Sequence, residues 1–170
     1  HANARASRDG DQALWQGIAE LGWTAVIVPE AFGGLGLGLA EAAVLLEENG
    51  RQLSRSPLFS SVALAHPLLV RCATDTACQR LLPAMAEGRC TATVIAGPGL
   101  SPFVGAGELD IRACRDGDGW VLDGLAGQVL DGDTADMALV VARLEEGGMG
   151  LFEVAAGLAG VTRSPLEAWD

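Results

Sequence analysis

A glycine-rich segment early in the chain is the first candidate for chemistry. Val28 to Leu39 reads Val-Pro-Glu-Ala-Phe-Gly-Gly-Leu-Gly-Leu-Gly-Leu, with an apolar run before it and an amphipathic pattern after it. Glycines between a strand-like run and a helix can cradle a phosphate, because exposed backbone N–H groups at a helix N-terminus attract anions. The dinucleotide fingerprint also needs a third small residue and an acid about 20 residues downstream. Counting from Gly34, the third slot holds Leu39; counting from Gly36, it holds Glu41, whose carboxylate would repel a pyrophosphate. Arg55 and Ser56 stand where the acid should be, and no Gly-Lys-Ser/Thr follows, so a P-loop is excluded as well. The segment reads as a close-packed turn in which glycine permits positive φ and backbone contact.

The other candidates are weaker. Glu30 in this loop could act as an acid, but orienting the loop is the better reading. His66 lies in an apolar helical pattern and reads as a packed residue rather than a catalyst. Trp15, Trp23 and Trp120 read as core or packing residues. Ser101 is a candidate contact to substrate or cofactor, with a plain turn serine as the alternative. Asp116-Gly-Asp-Gly119 lacks the ligand series of a calcium loop and reads as a hairpin turn. Cys72, Cys78, Cys90 and Cys114 form no Cys-x-x-Cys pair, and only two histidines are present, so no metal is expected. With no secretory signal, the cysteines are expected to be reduced thiols of a cytoplasmic protein.

Charge narrows the partners. The formal net charge of −11 opposes nucleic-acid binding, which needs a basic face. The carboxylates are scattered, as on a solvated acidic surface. The longest apolar run, Val62 to Val70, contains His66 and Pro67 and is too short to span a bilayer. At 170 residues with 49% apolar composition, the chain can fill one ordinary core or two small ones.

The hydrophobic period changes near residue 90. Before it, Leu14, Ile18 and Leu21 recur at helical spacing and Gly22 supplies a stop. Leu39 to Leu53 marks a second helix. Ser60 or Ser61 is expected to cap a third through Val70, kinked or shortened by Pro67. Asp75 is expected to cap a fourth that ends at Gly88, with Pro83 breaking it or opening a new turn. After residue 90 the pattern is that of strands: Thr91–Ala96, Leu109–Arg115, Trp120–Leu122, Met137–Ala142 and Leu151–Val154, with turns at 116–119, 123–124 and 145–148. Segregated helices and strands predict an α+β chain: an all-helical domain over 1–90, then an antiparallel β-barrel-like domain over 91–170.

These residues resemble a known family. Leu14-Trp15, Leu21-Gly22-Trp23, Val28-Pro-Glu-x-Phe-Gly-Gly-x-Gly36, Leu46-Glu-Glu-x-Gly-Arg51 and Leu81-Leu-Pro83 with Gly88 are similar to the N-terminal helical domain of acyl-CoA dehydrogenases. Asp118-Gly-Trp-Val-Leu-Asp-Gly124, Ala135-Asp136 and the strand to Arg143 resemble that family's middle β domain, and Leu151-Phe152 its next strand. The likeness runs from about Leu14 over nearly the whole chain. It implies FAD as cofactor, an acyl-CoA thioester oxidised to the 2,3-enoyl-CoA, an electron-transferring flavoprotein or similar acceptor, and homo- or hetero-oligomers. It also implies a carboxylate base on a C-terminal helical domain beyond Asp170. The catalytic base is thus unassigned within this sequence, which would be a fragment or cleaved product.

The resemblance implies cofactor contacts at Ile95 and Ala96, and at Gln128, Val129 and Leu130, with Ser101 toward substrate. Here the sequence departs from the family pattern. Ala96 stands where a threonine hydroxyl would approach flavin N5. Ala126, Gln128 and Leu130 stand where the family has lysine, an aromatic and threonine. Backbone groups could still bind the flavin's pyrimidine edge. The departures motivate a second reading, a non-catalytic subunit pairing with an active paralogue. A third is a flavin-independent helical-plus-β binding module.

Overall fold

The computed structural model describes residues 2–97 and 111–166. Contacts divide the chain into His1–Ala92 and Thr93–Asp170. The first unit is helical, with α1 at Ala2–Glu20, α2 at Leu39–Arg51, α3 at His66–Cys72 and α4 at Asp75–Ala86. Short 3-10 turns at Trp23–Ala25 and Glu30–Phe32 lead from α1 to α2. Ile18, Val26, Ala42, Leu58 and Val62 form a buried cluster against which Trp15, Trp23, Leu45 and Leu46 pack. Burying each of the Ile, Val and Leu side chains contributes about 1.5–3 kcal/mol.

Three helix expectations are corrected. Ser60 and Ser61 do not cap a helix; they are buried inside a π-helical stretch, Phe59–Ala65, that runs directly into α3. The His66 N–H donates to the Ser61 carbonyl five residues back, and the wider winding turns both hydroxyls inward. Pro67 stands in the first turn of α3, where the winding passes from π to α. The α4 cap is Thr74, whose hydroxyl accepts the Ala77 N–H at 3.3 Å, with Asp75 one position inside. Pro83 lies within α4 without ending it. Leu81, Leu82, Met85 and Ala86 are all buried around it, and that packing offsets the lost hydrogen bond.

The second unit carries β1 (Ala92–Ile95), β2 (Arg112–Asp116), β3 (Gly119–Asp123), β4 (Met137–Leu144) and β5 (Met149–Ala155). β2 and β3 form the hairpin expected around Asp116–Gly119, and β4 and β5 a second one from Met137↔Ala155 to Arg143↔Met149. The sheet is mixed rather than antiparallel, and it is not a closed barrel. β2 runs parallel to β4, with Arg112 opposite Arg143 and Ala113 opposite Leu144. The long connection over residues 124–136 supplies the crossover that a parallel pair requires and no tight turn can. The order is β1-β4-β2-β3, with β5 on β4. The sheet curls enough for Trp120 on β3 to meet Phe152 on β5 edge-on, centroids 5.3 Å apart. The Arg115 guanidinium lies 4.5 Å over the Trp120 ring.

Candidate functional site

The glycine loop spends its donors internally. The N–H groups of Leu35, Gly36 and Leu37 bond the carbonyls of Ala25, Val28 and Val26 at 2.8–2.9 Å. A Cβ on Gly34 would overlap the Val28 backbone, and Gly33 and Gly36 take φ of 83° and 63°. The Glu41 carboxylate accepts the Gly38 N–H at 2.8 Å, so the N-terminus of α2 is already paired with an anion. The loop is a packing device with no place for a phosphate. Glu30 is exposed at the start of the second 3-10 turn, its Cγ packed close over Gly36.

His66 is 1% exposed, and neither ring nitrogen has a hydrogen-bond partner among the described residues. Burial pushes its pKa down to about 4, so the ring is neutral at pH 7. Trp15 is tied to structure by its Nε1–H, which donates to Gly88 O at 2.8 Å. Trp23 packs on the helical core. Trp120 is held by Arg115 and Phe152 within the β unit. All four cysteines are free thiols, and no group of three or more His, Cys, Asp or Glu among the described residues could hold a metal ion.

The residues singled out for a cofactor meet in the β unit. Ile95 ends β1, and Ala96 follows it. Thr93, two residues earlier on β1 and 2% exposed, donates its hydroxyl to Leu130 O at 2.6 Å. That bond brings β1 beside the turn carrying Gln128, Val129 and Leu130. Gln128 and Asp131 both take left-handed φ, 52° and 51°. Aspartate tolerates this backbone, but for glutamine it is strained, and such strain gathers at functional sites. Among the described residues, the N–H groups of Gln128, Val129 and Leu130 make no hydrogen bond. Gln128 and Leu130 are exposed and Val129 is half-buried. Beyond the turn, Arg163 Nη1 donates to Gly132 O at 3.1 Å and Ala135 O at 2.8 Å. Ser101, with the stretch from Pro98, lies outside the described residues.

Thr93 and Arg163 were not among the residues read from the sequence. A threonine in a β-rich run has no pattern to mark it, and neither has an arginine whose partners are carbonyls. The donor set suits the edge of a flavin ring system, whose carbonyl oxygens and ring nitrogens accept from backbone N–H groups. It lacks the hydroxyl and the aromatic face at positions 96 and 128.

Comparison with known proteins identifies the family. Residues 1–89 match the model of the acyl-CoA dehydrogenase N-terminal domain. Acyl-CoA dehydrogenase FadE12 of Mycobacterium tuberculosis is 31% identical over 162 residues, covering 91% of this chain and 41% of that protein. The crystal structure of the ChsE4–ChsE5 complex from Mycobacterium tuberculosis superposes with a TM-score of 0.80 at 32% identity, over 92% of this chain and 41% of that one. An acyl-CoA dehydrogenase from Bacillus anthracis, solved with FAD, shares the fold with a TM-score of 0.81 at 24% identity, over 96% of this chain and 29% of that one. The chain therefore spans about two fifths of the length of FadE12. A helical unit built on the Pro-Glu-x-Phe-Gly-Gly loop, followed by a mixed sheet, and matched to such relatives over nine tenths of its length, belongs to the acyl-CoA dehydrogenase family.

Proposed function

We propose that the chain is the helical and β-sheet portion of an FAD-dependent enzyme that oxidises an acyl-CoA thioester to the 2,3-enoyl-CoA. The observation that carries this reading is the turn at 128–130, whose three backbone donors bond nothing among the described residues, tied to β1 beside Ile95 and Ala96. Ile95, Ala96, Gln128, Val129 and Leu130 would hold the cofactor through the main chain, and Ser101 would approach substrate. When bound, FAD supplies the hydride acceptor. The residues here orient its pyrimidine edge and help exclude water from it. The carboxylate base is assigned to the part of such an enzyme that this chain does not cover.

A protein acceptor such as an electron-transferring flavoprotein belongs to the same reading. Leu35, Leu37 and Leu39 alternate along the glycine loop at 50%, 47% and 54% exposure, an apolar ladder suited to a protein partner. No helix among the described residues is long and apolar enough to cross a membrane. A cytoplasmic location is part of the same proposal.

A second reading is a subunit that pairs with a flavin-carrying paralogue. Ala96, Gln128 and Leu130 favour it, since each removes a side-chain contact to flavin, and so does the likeness to a protein solved as a two-component complex. The two readings part on one experiment. The full reading frame is purified alone and with its neighbouring paralogues, and its visible spectrum is taken before and after FAD addition. Flavin bands, and their bleaching by an acyl-CoA, support the enzyme. A colourless protein that takes up no FAD alone but co-purifies with a yellow partner sinks it and supports the subunit.

A further inference from the structure

The turn over residues 128–135 holds Gln128 in a conformation that glutamine disfavours. Gln128 and Asp131 both carry a Cβ in the left-handed region, and glutamine gains little there from its side chain. Strained backbone persists only where surrounding structure over-determines it. Two side chains from outside the turn do so here. Thr93 grips its start through Leu130 O at 2.6 Å, and Arg163 grips its end through Gly132 O and Ala135 O. Between these grips the turn closes on itself, with Gly132, Thr134 and Ala135 N–H donating to Val129 and Asp131 carbonyls.

The two grips differ in kind. Thr93 is buried on β1, so its hydroxyl has no water to exchange with, and the Leu130 carbonyl is its fixed acceptor. Arg163 approaches from the far side in sequence, and one of its nitrogens bridges two carbonyls, leaving donors to spare. Both act on carbonyl oxygens. The N–H groups at 128–130 bond no carbonyl among the described residues. The side chains at 96, 128 and 130 offer little to a flavin, so the main chain at this turn must do the holding.

We propose that Thr93 and Arg163 are positioning residues: together they lock the 128–135 turn in its left-handed form and so present the 128–130 N–H groups to the flavin edge. The flavin part of this inference rests on the enzyme reading above; the locking part does not.

The test follows amide hydrogen exchange at Gly132, Thr134 and Ala135 together with FAD affinity, both in the full reading frame. Thr93→Val keeps shape and loses the hydroxyl; Thr93→Ser restores it; Arg163→Ala removes the second grip. Thr93→Val and Arg163→Ala are each expected to speed exchange at these three amides about tenfold or more, with β4 and β5 amides unchanged. FAD binding in the full frame is expected to weaken about tenfold, and Thr93→Ser to recover both signals. Unchanged exchange at the turn overturns the lock. Faster exchange with unaltered FAD affinity overturns the positioning role. Failure of the unmutated full frame to bind FAD sinks the enzyme reading and the flavin part with it, and leaves the lock to be decided by exchange alone.

Discussion

Gly34 lies so close to Val28 that a Cβ on it would collide with the Val28 carbonyl oxygen, carbonyl carbon and Cβ at once. Val28 is fully buried, and the Gly36 N–H bonds its carbonyl at 2.8 Å. Backbone cannot yield there as a flexible side-chain end could. Gly34→Ala is therefore expected to destabilise the helical unit by about 3 kcal/mol or more, read as a fall in the urea midpoint. Gly33→Ala meets no atom and carries only the penalty of a positive φ, about 1 kcal/mol. Equal losses at the two positions would refute the close-packing account of the loop.

Gly50 provides the opposite case. It sits exposed in α2 with nothing within 4 Å of an added Cβ and no positive φ. Gly50→Ala is expected to stabilise the chain by about 0.5–1 kcal/mol, through helix propensity and the lost freedom of the unfolded chain. A thermal melt that moved downward would show that Gly50 is needed for something outside α2.

Thr24 fastens the turn after α1 to the end of α4. It is fully buried, and its hydroxyl donates to Ala86 O at 2.6 Å. Thr24→Val keeps the shape and strands that carbonyl, at a cost of about 1–3 kcal/mol. Thr24→Ser is expected to recover most of the bond but not the methyl packing. Chemical denaturation of the three proteins would show the order Thr24, Ser, Val; valine equal to threonine would contradict it.

These cases show what the residues could and could not disclose beforehand. The change of period near residue 90 was visible because helices and strands space apolar residues differently, and Asp116–Gly119 announced its hairpin through residues that tolerate positive φ. The parallel pairing of β2 with β4 was hidden, since alternation along a strand says which face is buried and nothing about the neighbour's direction. Pro83 misled because local propensity was outweighed by the burial of Leu81, Leu82 and Met85. Thr74 was legible in principle, as a threonine just before an acid at a helix start. The candidate site was reached by resemblance at Ile95, Ala96 and 128–130. Thr93 and Arg163 act on carbonyls distant in sequence, and a one-dimensional pattern does not carry such pairings.

His66 sets a pH dependence whose sign is fixed by its burial. Its folded pKa is lowered to about 4 from 6.5, so the folded state prefers the neutral ring. Above pH 6.5 the ring is neutral in both states and stability is intact. Between pH 6.5 and 4 the unfolded chain binds a proton that the folded chain refuses, and stability falls with pH by up to about 3 kcal/mol. His66→Met removes the titration and the two unpaired nitrogens while keeping bulk. It is expected to flatten this part of the acid limb and raise stability at pH 5. Urea titrations of both proteins from pH 7 to 4 give the comparison; parallel curves would mean that His66 titrates normally in the fold.

Ala96 and Gln128 are the positions where restored side chains would report on the proposed flavin site. A hydroxyl at 96 adds a hydrogen bond of about 1 kcal/mol, and an aromatic ring at 128 adds about 0.5–1.5 kcal/mol beyond its burial. Ala96→Thr in the full reading frame is expected to tighten FAD binding about fivefold, and Ala96→Thr with Gln128→Trp by about tenfold to a hundredfold. Gln128 is exposed, so the larger ring displaces no packed neighbour. Its left-handed φ of 52° already carries a Cβ, so the exchange adds little backbone strain. Quenching of flavin fluorescence during titration measures the affinities, and the visible band of the bound flavin shows whether the ring at 128 reaches it. If both variants fold and neither changes FAD affinity or spectrum, residues 96 and 128 do not face the cofactor, and the subunit reading gains the ground that the enzyme reading loses.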